Sequence, residues 1–200
     1  KRIFDLLWMP NKIRNYDISP SGINNINTID TNFSLINFKK FANHLKKKNI
    51  ITYCKFYNEY DFKVYTKYLK KDLSHYPNIK FIKNFDKGLD NNILSKVKLV
   101  IWDIPGTGFL ECLSSNIPTL CYVDKNIINT HKSQKSLFHE LNKVGIINYN
   151  YNNFLKNICL FIKDEKKWSF NKKRHNVDRK FTYKFARTDD NWDKIWKNKI

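Results

Sequence analysis

The sequence predicts an α/β fold, in which a doubly wound, six-stranded and mostly parallel sheet carries helices on both faces. Short apolar runs rich in β-branched and aromatic residues recur along the chain, and such runs are typical of strands buried on both faces. Segments with apolar residues at helical spacing separate these runs, so that strand and helix alternate six times. With 200 residues, of which 42% are hydrophobic, the chain is also long enough to bury a sizeable core.

The first half of the chain contributes three predicted strands. They are Ile3 to Met9, Ile50 to Phe56, and Ile79 to Ile82. A loop rich in Asn, Ser, Pro and Gly, Asn11 to Thr31, follows the first strand, and loops of this length are usually functional or mobile. Two helices complete this half. Their apolar faces are marked by Leu35, Phe38, Phe41, Ala42 and Leu45, and by Phe62, Tyr65, Leu69 and Leu73.

The second half repeats the alternation. Its predicted strands are Leu99 to Trp102, Pro118 to Val123, and Ile146 to Tyr149. A short helical piece, Asn92 to Val97, precedes the first of these strands, and a helix from Phe109 to Ser115 connects the first two. Gly145 ends the next helix, in the position where glycine commonly closes one. The last two helices are marked by Leu137, Phe138, Leu141 and Val144, and by Phe154, Leu155, Ile158 and Ile162.

The alternation stops after residue 167. We therefore assign residues 1–167 to one Rossmann-like domain and residues 168–200 to a C-terminal tail. The segment from Asp190 to Trp196 is predicted to be a terminal helix, and we expect the tail to pack across the domain or against a missing neighbour. Its basic and aromatic residues include Lys172, Lys173, Arg174, Arg179, Trp192 and Trp196.

The net charge of +19 points to nucleic acid, an anionic membrane surface or an anionic substrate as partner. A compositional explanation competes with this one, because Lys, Asn, Ile and Tyr are abundant throughout the chain, as in proteins from AT-rich genomes. The lysines are spread out, whereas a nucleic-acid face would cluster them. Charge alone therefore does not choose among these partners.

The cysteines and the hydropathy indicate a cytoplasmic protein. The four cysteines lie far apart without a CxxC pair and are predicted to be reduced core residues. No apolar run approaches the roughly 20 residues that a membrane span requires. The chain enters a strand-like segment within two residues of Lys1, so we expect an upstream half that these residues lack. The cysteines are Cys54, Cys112, Cys121 and Cys159.

The stretch between the fourth and fifth predicted strands carries the clearest chemical signal. Pro105, Gly106 and Gly108 force a tight turn and let the backbone approach a ligand closely. The helix that leaves this turn presents free N–H groups and the positive end of its dipole. We therefore predict that an anion, such as a phosphate, rests on the amides from Gly106 to Gly108.

A second loop is expected to meet this turn. In a doubly wound sheet, ligands bind outside the carboxyl ends of the strands, where the strand order reverses. The first and fourth strands are neighbours at that point, so the loop with Lys12 and Arg14 and the turn from Asp103 to Gly108 converge on one crevice. Arg14 would grip a phosphate bidentately, and the alternative is that it is an exposed loop cation.

Four further residues belong to the candidate site, each with a structural alternative. Thr107 donates its hydroxyl to phosphate or caps the helix. Glu111 accepts hydrogen bonds from ribose or sugar hydroxyls or merely complements the helix dipole, and its apolar neighbours predict that it is largely buried. Asp103 binds a ligand or starts the turn. His131 lies in the loop after the fifth strand, which opens on the crevice side, and the alternative is that it is an ordinary surface histidine.

The sequence lacks the motifs that characterise several enzyme classes. GxSxG, Walker A and GxGxxG are absent, and the GTG of the turn names no nucleotide by itself. Hydride transfer and NTP hydrolysis are therefore unsupported. The five histidines show neither HExxH spacing nor pairing with cysteine, so no metal site is predicted.

The stretch from Asp103 to Asp124 carries a family resemblance. Its order is Asp, a Pro-Gly-Thr turn, Phe-Leu-Glu, Asn-Ile-Pro-Thr and a strand ending in Asp. This order resembles the C-terminal half of bacterial surface-carbohydrate transferases of the lipopolysaccharide or O-antigen type, which have GT-B architecture. Gly108 stands where the family pattern has a second Thr. The matching residues are Asp103, Pro105, Gly106, Thr107, Phe109, Leu110, Glu111, Asn116, Ile117, Pro118, Thr119 and Asp124.

The resemblance implies the donor-binding half of a metal-independent glycosyltransferase without a bound cofactor. Its substrate would be a UDP-, GDP- or CMP-linked sugar, with Thr107 and Gly108 near the phosphates and Glu111 near the ribose or sugar hydroxyls. The acceptor would be a glycan or lipid-linked precursor, reached at an anionic inner-membrane surface. The N-terminal GT-B domain, which often carries the general base, is expected to be missing, and no catalytic residue is identified.

A protein of another class also fits the composition. A basic nucleic-acid-binding or scaffolding α/β domain without catalytic activity would use the basic, aromatic tail. Oligonucleotide binding that weakens steeply with salt would distinguish this alternative from a nucleotide-sugar domain.

Overall fold

A computed structural model describes residues 4–12, 27–68, 73–85, 91–123, 125 and 132–186. The strands are β1 (Phe4–Met9), β2 (Thr52–Lys55), β3 (Ile79–Ile82), β4 (Val97–Trp102), β5 (Thr119–Tyr122) and β6 (Ile147–Asn148). The helices are α1 (Asn27–Lys48), α2 (Glu59–Tyr68), α3 (Asn91–Leu94), α4 (Thr107–Ser114), α5 (Lys135–Lys143), α6 (Tyr151–Lys163), α7 (Glu165–Ser169) and α8 (Lys172–Phe185). Short 3₁₀ turns lie at Leu73–His75 and Lys132–Gln134.

The six strands form one open sheet in the order β3-β2-β1-β4-β5-β6, and every pairing is parallel. This confirms the predicted fold class. Leu7 of β1 pairs with Tyr53 on one side and with Val100 on the other, so β1 and β4 are neighbours at the centre of the sheet. The strand order reverses between them, which confirms the predicted switch point.

Alternate residues of the central strands feed two separate cores, because successive side chains of a strand point to opposite faces. Leu6 and Trp8 face α1, α2 and α6, whereas Leu7 and Met9 face α3, α4, α5 and α8. Both faces of the central strands are therefore buried, and for this reason these strands are continuous apolar runs in the sequence. Cys54, Cys112 and Cys121 are buried free thiols, as predicted, whereas Cys159 is exposed on α6, so its prediction as a core residue was wrong.

The largest difference from the predicted elements lies before α1. The helix begins at Asn27, so the segment from Asn27 to Thr31, which was predicted to be part of the loop, is helical. Four of the five residues in this segment are polar, so it shows no apolar periodicity that would predict a helix. Residues 13–26 of the predicted loop lie outside the described residues. The second predicted helix is described as far as Tyr68, residues 69–72 lie outside the described residues, and Leu73 belongs to a 3₁₀ turn.

The chain after residue 167 continues with packed helices. Trp168 is 7% exposed and meets Phe161 edge to face, with ring centroids 5.3 Å apart. Phe181 of α8 packs edge to face on Phe138 of α5, and Lys180 forms an ion pair with Glu140 at 2.9 Å. The predicted terminal helix, residues 190–196, lies outside the described residues.

Gly145 closes α5 with a backbone conformation that L side chains rarely adopt, at φ +78°. A Cβ there would lie 2.6 Å from the amide nitrogen of Asn157, which itself donates to Asn148. We expect Gly145→Ala to lower the free energy of unfolding by about 2 kcal/mol, measured by urea denaturation. Gly106→Ala is the matched control, because Gly106 has φ −89° and open space around it. Equal effects of the two substitutions would contradict this account.

Candidate functional site

The amino end of α4 opens at the carboxyl edge of the sheet, next to the switch point. Gly106 is its N-cap residue, with φ −89° and ψ −165°, and as a glycine it has no side chain to cap the helix. A Cβ built on Gly106 would meet no atom within 4 Å. The turn therefore does not need glycine for its φ angle, and the first N–H groups of α4, like those of other helices, are suited to an anion.

Thr107 and Gly108 occupy the first two helical positions of α4. Thr107 is exposed, and the structure contradicts its predicted alternative role as the capping residue, because the cap lies one residue earlier. A capping side chain folds back from a non-helical residue onto the first turn, whereas Thr107 already belongs to that turn. The hydroxyl of Thr107 can thus donate a hydrogen bond to a ligand at the amino end of α4.

Glu111 is exposed, so the prediction that it is largely buried was wrong. The residues that α4 buries are Phe109, Cys112 and Leu113, which share the face toward the sheet. Glu111 lies four positions after Thr107, a spacing that puts two side chains on the same helix face. Both polar side chains therefore lie on the solvent side of α4, one turn apart.

Asp103 links the end of β4 to the loop after β1. Its two carboxylate oxygens accept hydrogen bonds from the indole N–H of Trp8 at 3.1 Å and from the backbone N–H of Asn11 at 3.3 Å. The carbonyl of Asn11 in turn accepts from the hydroxyl of Tyr65 on α2, at 2.8 Å. This network joins β1, β4 and α2, and it positions the start of the loop that carries Lys12.

The environment of Asp103 favours its neutral form. Burial raises the pKa of Asp103 to about 7, although the hydrogen bonds from Trp8 and Asn11 act in the opposite direction. Burial also raises the pKa of the Cys54 and Cys121 thiols, and the charge of Asp103 adds to this effect. The crevice thus contains a carboxyl group that changes its charge near neutral pH.

This raised pKa predicts how stability depends on pH. Unfolded Asp has a pKa of about 3.9, so between pH 4 and 7 the folded protein holds a proton at Asp103 that the unfolded chain releases. We expect the free energy of unfolding, relative to Asp103→Asn, to fall as pH rises through this window, by at most about 1.4 kcal/mol per pH unit. Urea denaturation of both proteins from pH 4.5 to 8 measures this. Parallel pH profiles would refute the expectation.

Two lysines contribute to the same edge of the sheet. The ammonium of Lys12 lies 4.9 Å from the ring centre of Tyr57, which follows β2. Lys55 ends β2, is 2% exposed, and donates to the carbonyl of Asn84 at 2.8 Å. Our sequence reasoning missed Lys55, although a lysine that closes an apolar strand was a visible signal. The other predicted residues of this edge, Arg14 and His131, lie outside the described residues.

An aromatic group at the end of β5 was also missed. The ring of Tyr122 lies 5.4 Å from Tyr151 at the start of α6 and 5.8 Å from Phe33 of α1. The hydroxyl of Tyr151 is buried and has no hydrogen-bond partner among the described residues, and burial raises its pKa. These rings lie at the carboxyl end of β5, next in the sheet to β4.

The described part of the chain contains no group of three or more His, Cys, Asp or Glu side chains arranged to hold a metal ion. None of its helices combines the length and the apolar character needed to cross a membrane.

Comparison with known proteins identifies the family. Neither the curated proteins nor the solved structures include a match to this chain. Among protein families, the LIC12162 family transferase matches over residues 6–200. The match includes the whole sheet beyond the first residues of β1, the turn before α4 and helices α1 to α8. The chain therefore belongs to the LIC12162 family of transferases.

Proposed function

We propose that this transferase moves a sugar from a nucleotide-sugar donor to a glycan or lipid-linked precursor of a surface polysaccharide. The membership in a transferase family and the resemblance of the segment from Asp103 to Asp124 to surface-carbohydrate transferases support this reaction class. The observation that carries the proposal is the uncapped amino end of α4, which opens at the switch point of the sheet.

The phosphates of the donor would bind in front of α4. The first N–H groups of a helix and its dipole, equivalent to about half a positive charge, attract phosphate. The exposed hydroxyl of Thr107 would add a donor, and Lys12 would add a cation from the loop after β1. Arg14 belongs to the same loop and is proposed as a second cation. These groups would stabilise the charge that develops on the leaving phosphate.

Glu111 would bind the sugar part of the nucleotide. Its carboxylate is exposed on the face of α4 that also carries Thr107, about 6 Å further along the helix axis. Hydroxyl groups of a ribose or hexose donate well to a carboxylate. An exposed Glu111 thus fits a ligand hydroxyl better than the buried one that the sequence suggested.

Asp103 is proposed as a positioning residue. Both of its oxygens accept hydrogen bonds from the protein, and a carboxylate is a poor neighbour for phosphate when ionised. Its contribution would be to hold Asn11 and the loop with Lys12 beside the turn before α4. Catalysis would then consist mainly of positioning the reactants and stabilising the leaving group.

Thermal unfolding in the presence of UDP, GDP and CMP tests the proposal. We expect one of these nucleotides to stabilise the protein and Glu111→Ala to lose most of that stabilisation, since each tenfold loss of affinity removes about 1.4 kcal/mol. Glu140→Ala is the control, because it removes a carboxylate from another helix, α5. If none of the three nucleotides stabilises the protein, or if Glu111→Ala responds like Glu140→Ala, the proposed donor site is wrong.

A further inference from the structure

A second cavity lies at the opposite edge of the sheet from the candidate site. It has a volume of about 250 Å³ and lies between the end of α4, the starts of β5 and β6, and the helices α7 and α8. Thr119 and Ile146, which line it, mark the amino ends of β5 and β6, whereas Asp103 follows the carboxyl end of β4. The cavity is therefore separate from the proposed donor site.

Three buried polar atoms of the residues that line this cavity have no hydrogen-bond partner in the described part of the chain. They are the indole nitrogen of Trp168, the hydroxyl oxygen of Ser169 and Oδ1 of Asp178. Trp168 is 93% buried, at 7% exposure. Buried polar groups are almost always hydrogen-bonded, and leaving one unpaired is costly. One N–H donor, one hydroxyl group and one carboxylate acceptor are thus left for a ligand to satisfy, and the donor and the carboxylate are the two whose chemistry restricts the ligand most.

Arg174 holds the indole of Trp168 in place. Its guanidinium carbon lies 3.9 Å from the centre of the Trp168 ring. It also donates to the carbonyl of Trp168 and, at 3.2 Å, to the carbonyl of Val144. A ring that is clamped in this way presents its N–H group in a fixed direction, which lowers the entropy cost of binding.

The lining of the cavity combines charged side chains of both signs with apolar ones. The cation of Arg174, the carboxyl of Asp178 and the imidazole of His175 all line it, so a neutral ligand avoids repulsion from groups of either charge. Burial raises the pKa of Asp178 to about 6, which leaves it mostly an ionised acceptor at neutral pH. Leu113 and Ile117 supply apolar surface, and Phe170, at 76% exposure, presents an aromatic ring beside them.

We propose that this cavity binds a neutral secondary amide with a small apolar substituent, namely the acetamido group of an N-acetylated sugar. The amide N–H would donate to Asp178, the amide carbonyl would accept from the indole N–H of Trp168, and the methyl group would contact Leu113. The sugar ring would stack on Phe170. A carboxylate ligand would be repelled by Asp178, and an amine would leave the indole N–H unpaired, whereas an amide carries a partner for each of the two groups. This proposal does not depend on the proposed donor site.

Saturation-transfer NMR with methyl N-acetyl-glucosaminide tests the proposal on the full chain. We expect saturation to be strongest at the acetamido methyl group, and methyl glucoside, which lacks the amide, to show none. Trp168→Phe keeps the aromatic ring but removes the N–H, and we expect it to weaken binding about tenfold. Asp178→Leu, which removes the acceptor, is expected to weaken binding to a similar extent.

Three controls complete this experiment. Trp102→Phe removes a buried indole N–H at the other end of the sheet, and Arg179→Gln changes an exposed position of α8, so neither should alter binding. Glu111→Ala should also leave it unchanged, which separates this cavity from the donor site. The proposal is overturned if the acetamido methyl receives no saturation, if methyl glucoside binds equally well, or if Trp168→Phe binds like the wild type. Trp168→Phe decides the matter alone should Asp178→Leu fail to fold.

Discussion

Thr107→Asp is expected to weaken the binding of nucleoside diphosphates about a hundredfold without lowering the stability of the protein. The new carboxylate would stand at the first residue of α4, where the phosphates are proposed to rest. Two unit charges about 5 Å apart near a protein surface repel each other by about 3 kcal/mol. The same carboxylate suits the helix dipole, which contributes about 0.3–1 kcal/mol of stability, and the N-cap residue Gly106 has no side chain that would compete with it.

Thr107→Asn is the control for this substitution, because it has nearly the same size as Asp and no charge. Isothermal titration calorimetry gives the affinities, and urea denaturation gives the stabilities. If Thr107→Asp lowers the affinity for the nucleotide but does not lower the free energy of unfolding, Thr107 belongs to a phosphate site and does not have a structural role. The account of this helix end fails if Thr107→Asp binds the nucleotide as well as the wild type, or if Thr107→Asn loses as much affinity.

Trp8→Ala is expected to lower the free energy of unfolding by about 4 kcal/mol, the range found when a large buried aromatic side chain is removed. Trp8 is 1% exposed, stacks on Phe38 at 4.5 Å between ring centroids and meets Phe41 edge to face at 4.8 Å. It also donates to Asp103. The substitution would therefore leave a cavity in one core and an unpaired acceptor at the switch point.

Trp8→Phe separates these two losses. The smaller ring keeps much of the packing on Phe38 but cannot donate to Asp103, so we expect a loss of about 1 kcal/mol from the hydrogen bond, in addition to the effect of the smaller volume. The pKa of Asp103 should rise further, because the bond from Trp8 lowers it. Denaturation curves and the pH profile of stability measure both effects. An equal loss in Trp8→Ala and Trp8→Phe would contradict this account of the packing.

The strands and their order were predicted well from the sequence. Each strand is marked by a local apolar run, and the order follows from a general rule for doubly wound sheets. The third strand, Ile79 to Ile82, has the predicted bounds, since a short β-branched run between a proline and polar residues is a clear pattern. The neighbouring positions of β1 and β4 followed from the topology of doubly wound sheets. The start of α1 at Asn27 did not, because four of its first five residues are polar and show no apolar periodicity.

The candidate site was predictable in position but not in its contacts. The turn before α4 was identified from its glycines and proline, whereas the exposure of Glu111 depends on which face of α4 meets the sheet. The partners of Asp103 could not be predicted at all, since Trp8 lies 95 residues away along the chain and Asn11 lies 92 residues away. Only the register of β1 against β4 brings these groups together.

The amide resonances of α4 test the central claim, that the amino end of this helix binds the phosphates of a nucleotide sugar. In a ¹⁵N-labelled protein, the signals of Thr107, Gly108 and Phe109 would be followed while UDP, GDP and CMP are added in turn. The account predicts that one nucleotide shifts these three signals in a saturable way. Saturable shifts elsewhere with these three unchanged, or no shift with any of the nucleotides, would contradict it.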